Sequence, residues 1–94
     1  MVSAIGPRQL FASPTIGNLL QAGDWAVAHA EPHILREAVR LLAPCVAVPQ
    51  QVELEAIAHL ATSDLRVATT RWIRVSQHLR DHLFHVDGYV PASA

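Results

Sequence analysis

Lysine is missing from this 94-residue chain, and all seven basic side chains are Arg. Guanidinium groups stay charged and offer forked donors suited to carboxylates. An Ala-, Val-, Leu- and Arg-rich chain without Lys is also the usage of a GC-rich genome, which points to a bacterial or viral source. Charge of either sign is scarce. Only 16% of residues are charged, against about 25% in ordinary domains, so folding should leave apolar surface exposed, the usual mark of a partner or an oligomer. The formal net charge of −1 gives no global attraction to nucleic acid or anionic membrane. The single cysteine, Cys45, excludes an internal disulfide and fits a reducing cytosol. No apolar run reaches the ~18–20 residues of a membrane span. The opening MVSAIGPRQLFASP reads as neither a secretory signal nor a transit peptide. The expectation is a soluble, cytoplasmic protein.

Catalytic signatures are missing as well. No GxSxG, HExxH, P-loop or GxGxxG pattern occurs. Cys45 lies among Pro44, Val46 and Ala47, with no local base or activating charge, and reads as a buried, inert thiol. Glu53 and Glu55 fall on a solvated helix face. No enzyme and no cofactor are expected.

What the chain does have is a long amphipathic stretch, Ser63 to Gly88, without an internal Gly or Pro. Leu65, Ala68, Trp72, Val75, Leu79 and Val86 recur at steps of three and four, with His82 breaking the stripe. That spacing predicts a helix over 64–86. Thr62 or Ser63 would cap it, Asp64 suits its first turn and Gly88 its end. A length of roughly 34 Å exceeds the needs of so small a core.

Upstream, residues 1–12 carry Gly6 and Pro7 without periodicity and read as an extended arm. Ser13-Pro14 signals a helix start. A short helix over about 14–22 should end at Gly23, and Asp24 should cap another segment. Pro32 breaks or restarts the helix, and Ile34, Leu35, Ala38, Leu41 and Leu42 then mark a helical face to residue 43. The pattern leaves open whether 24–43 is one kinked helix or two. Pro44 and Pro49 bracket an extended, buried connection, and a third main helix covers 50–62. The predicted fold is all-α: an antiparallel bundle of three main helices plus one or two short N-terminal ones. It occupies 13–88, with a flexible tail over 89–94.

Six histidines form the other unusual feature. His78, His82 and His85 lie at steps of four and three, within one arc of the long helix. A divalent-metal site is geometrically available there, with Asp81 as an outer partner. The competing reading is ordinary helix-end histidine, favoured by the dipole when protonated. His29 and His33, with Glu37 four further on, form a second cluster that Pro32 should misalign.

Three function classes follow. The favoured one is a small adaptor or regulatory protein that binds another protein, including its own copy as a homodimer. Its interface would use Trp72, Val75, Leu79, Leu83 and Phe84, with Arg71 and Arg74 at the rim, although the same stripe also serves as a core. On this reading a buried His82 would make association weaken in acid. The second class is a helix-turn-helix DNA regulator built on 50–80, with Arg66, Thr70, Arg71 and Arg74 reaching bases and phosphates. The third is histidine-mediated metal binding.

Overall fold

The computed structural model describes residues 6–84, with side chains through His82. The notional tail 89–94, the Gly88 terminator, Val86 and His85 lie outside the described residues, as do the side chains of Leu83 and Phe84. Five α-helices follow one another, with no strand among the described residues: α1 (Pro7–Ala12), α2 (Ile16–Ala28), α3 (Pro32–Leu42), α4 (Val48–Ala61) and α5 (Leu65–Phe84). A 3₁₀ turn, Ala43–Cys45, links α3 to α4. The all-α bundle expected from periodicity is what forms.

Several boundaries differ from the expectation. Residues 7–12 are helical rather than extended. Pro7 stands in the first turn, where its missing N–H costs nothing, and Leu10 packs against Ala22 and Ala38. Thr15, not Ser13, caps α2: its hydroxyl accepts from the Asn18 N–H at 3.1 Å. Helix α2 then runs straight through Gly23 and Asp24 to Ala28. Gly23 is there for contact, not termination. A Cβ at that position would sit 2.0 Å from a carbon of the Trp72 indole.

The true end of α2 is a Schellman turn without glycine. Glu31 N–H donates to Ala26 O (2.8 Å) and Ala30 N–H to Val27 O (3.4 Å), with Ala30 at φ 52°. Pro32 then occupies the first turn of α3, so 24–43 belongs to two helices. The connection before α4 is a 3₁₀ turn, and Cys45 within it is exposed rather than buried, its Sγ donating to Leu41 O at 3.7 Å. Helix α4 begins at Val48, two residues earlier than expected. Asp64, rather than Thr62 or Ser63, caps α5 by accepting from Val67 N–H at 3.3 Å. At 20 residues, α5 is about 30 Å long.

Each helix packs on the next, and α5 returns to α2. Leu19, Leu35, Leu42, Leu54, Ile57 and Trp72 form the fully buried centre. Trp72 is 0% exposed, yet its Nε1–H donates to Asp24 Oδ1 at 3.0 Å. Asp24 Oδ2 takes the guanidinium of Arg80. One carboxylate from α2 thus satisfies the buried indole and holds the second half of α5. No helix among the described residues is long and apolar enough to cross a membrane.

Candidate functional site

Helix α4 carries apolar residues on two opposite sides, the outer of which its second half shares with Glu55 and His59. Leu54, Ile57 and Ala61 face the core. Val48, Val52 and Ala56 recur every four residues, which places them on the opposite side. Val48 is 69% exposed and Val52 61%. A free surface helix ordinarily turns polar residues outward, as α3 does with Arg36, Glu37 and Arg40. Fully burying one valine side chain is worth about 1.5–3 kcal/mol, so the outward stripe of α4 is a reservoir of binding energy left unused by the fold.

Beside this stripe, α4 and α5 run antiparallel. Glu53 accepts from Arg71 through two contacts, Nε to Oε2 at 3.0 Å and a terminal nitrogen to Oε1 at 3.4 Å, a forked geometry. Further along, Gln50 Nε2 donates to His78 Nε2 at 3.1 Å. Gln50 lies about 17 Å before the end of α4, and His78 about 20 Å beyond the start of α5. Contact between them requires the helices to lie side by side. A helix-turn-helix crosses its two helices at about 90–120°, so this pair is an αα-hairpin instead. Of the side chains proposed to read DNA, Arg71 is engaged with Glu53. Arg66 and Thr70 are exposed, and Thr70 Oγ1–H donates to Arg66 O at 3.2 Å. Arg74 is exposed and makes no ion pair among the described residues. It borders a groove that also holds Glu53, Arg71 and His78.

The expected interface stripe is largely interior. Trp72, Val75 and Leu79 are buried in the chain's own core, because α5 spends that face on α2 and α4. Leu83 and Phe84 fall in the last turn of α5, outside the described side chains. Arg71 and Arg74 do stand at the surface edge.

The histidines are dispersed by the fold. His78 and His82 are both exposed and line one cavity together with Cys45, while His85 lies outside the described residues. Among the described residues no group of three or more His, Cys, Asp or Glu is placed to hold a metal ion. His82 is exposed rather than buried, so a positive charge there would stand in water and would not oppose association in acid. His29 stacks on Trp25, with ring centroids 4.0 Å apart, and its Nδ1–H donates to Trp25 O at 2.8 Å. His33 follows on the next helix, beyond Pro32.

Against protein-family models, curated proteins and solved structures alike, the chain finds no match. The residues missed by sequence reasoning are Val48 and Val52. Their signal is present in VPQQVELEAIAHLA, where valines at i and i+4 oppose Leu54 and Ile57; a buried connection over 44–49 takes in Val48, and Val52 reads as a flank of the buried face rather than its opposite.

Proposed function

We propose that this chain is a small helical adaptor that works by protein–protein binding and self-associates through the outward face of α4. The observation that carries the reading is the pair of exposed valines, Val48 and Val52, one helical turn apart on a helix whose other side is already buried. A helix apolar on both sides is stable in water chiefly when a second surface covers it. Arg71, Arg74 and Glu53 along one edge supply the charged rim that such contacts use. The role is one of binding rather than catalysis. Supporting that, the Cys45 thiol is turned to a backbone carbonyl rather than to a base. The lone cysteine also suits a reducing compartment such as the cytoplasm.

Sedimentation equilibrium of the native chain and of Val52→Asp tests the proposal. The native chain should show a concentration-dependent dimer, and the variant should remain monomeric with unchanged helicity. A native chain that stays monomeric to its solubility limit overturns self-association.

A further inference from the structure

Between the start of α2, the 3₁₀ turn and the last described turns of α5 lies a cavity of about 300 Å³. Ile16, Val46, Ala47 and Leu79 give it apolar walls, Cys45 and His82 line it as well, and no carboxylate is among its lining residues within the described part of the chain. Gln50 and His78, hydrogen-bonded to each other at 3.1 Å, form part of its wall. The same two side chains also line the neighbouring groove that carries Arg71 and Arg74. An apolar chamber and a cationic groove therefore meet at one shared pair of residues. In that groove Arg71 is neutralised by Glu53, whereas Arg74 makes no ion pair among the described residues.

An apolar chamber beside an available guanidinium is complementary to an amphiphile with an aliphatic tail and an anionic head. The chamber sits at the small end of the range for small-molecule sites, about 300–1,000 Å³. It suits one short tail and not the paired long tails of a membrane lipid. We propose that this site binds a free medium-chain carboxylate of about six to ten carbons. The tail would occupy the chamber, and the carboxylate would pass His78 to reach Arg74. Arg74 also stands in the rim of the proposed contact, but Val48 and Val52 line neither the chamber nor the groove, so the titration is run on Val52→Asp as well as on the native chain and does not depend on self-association.

The test is calorimetric titration of the full chain with hexanoate, octanoate and decanoate below their micellar concentrations. Affinity should rise about fourfold per added methylene, the increment for burying a CH₂, and level off once the chamber is full. Octanol should bind at least tenfold more weakly than octanoate, because it lacks the charge-assisted contact, and octylamine should not bind. Arg74→Gln, at an exposed position, should lower octanoate to the level of octanol while leaving octanol unchanged. Ala47→Phe, also exposed and checked for native helicity, should fill the chamber and abolish both. Cys45, the sole thiol, lines the same cavity, so octanoate should slow its reaction with a maleimide. Vesicles of phosphatidylglycerol should not capture the chain. Absence of octanoate binding, affinity independent of tail length, equal binding of octylamine, or full binding by Ala47→Phe would each overturn the proposal. Vesicle capture without octanoate binding would overturn it in favour of a membrane surface.

Discussion

Gly23 and Trp72, 49 positions apart in sequence, touch so closely that no side chain fits between them. The indole carbons occupy the space where a Cβ on Gly23 would stand, the nearest at 2.0 Å. Backbone and a rigid, fully buried ring form that contact, so neither can yield by turning a flexible chain end. Gly23→Ala should destabilise the fold by about 1–3 kcal/mol through overpacking, even though alanine is the better helix former by about 1 kcal/mol. Urea denaturation checks this. In a Trp72→Phe background the smaller ring should relieve the clash, and the cost of Gly23→Ala should shrink.

Asp24 gives one oxygen to the Trp72 indole and the other to Arg80. The two roles separate by substitution. Asp24→Asn keeps an acceptor for the indole and loses the charge pair, so it should cost under about 1 kcal/mol, since the carboxylate is half exposed. Asp24→Ala also leaves the buried indole N–H unpartnered and should cost about 1–3 kcal/mol. Thermal melts of both variants at neutral pH decide the order, and equal losses would show that the indole bond contributes nothing.

Ala30 holds a left-handed backbone at φ 52° in the position that ends α2. An L-residue there costs about 1–2 kcal/mol that glycine avoids. Ala30→Gly should therefore stabilise the chain, by about 1 kcal/mol after the entropy that glycine loses on folding. The denaturation midpoint should rise with an unchanged slope.

Ile73 is the natural control for the association surface. It is 58% exposed but lies about 160° around α5 from Arg71, the residue that faces α4. Ile73→Asp should leave the sedimenting mass of the native chain unchanged, while Val48→Asp lowers it as Val52→Asp does. If Ile73→Asp dissociates the complex and the valine variants do not, the interface is on the other flank of α5.

The fold was legible where periodicity and proline spoke together. The stripe Leu65, Ala68, Trp72, Val75, Leu79 marked α5, and Pro32 opened α3 as its fixed φ allows. Legibility failed where a residue's role was set by a distant partner. Gly23 and Asp24 look locally like a stop and a cap, but Trp72 and Arg80, 48 and 56 residues beyond Asp24, turn them into mid-helix contacts. Cys45 is apolar by neighbours and exposed by geometry, since a 3₁₀ turn rather than an extended link carries it. The candidate surface was half legible. The pattern puts Arg71 and Arg74 at an edge, as found, but Trp72, Val75 and Leu79 of the expected interface belong to the core, while Val48 and Val52 on α4 stand exposed. Amphipathic spacing tells which residues share a face; it does not tell whether that face meets its own chain or another.

Among the described residues helix packing is mainly between sequence neighbours, α2 on α3, α3 on α4 and α4 on α5, with a smaller long-range return of α5 to α2. Such a topology folds fast, because short loops close at little entropic cost. The seam between α2 and α5 is different. It is fastened by Asp24, Trp72 and Arg80 and must wait for the intervening helices to align. The expectation is a latch that closes last, so Asp24→Ala should speed unfolding more than it slows folding in stopped-flow measurements.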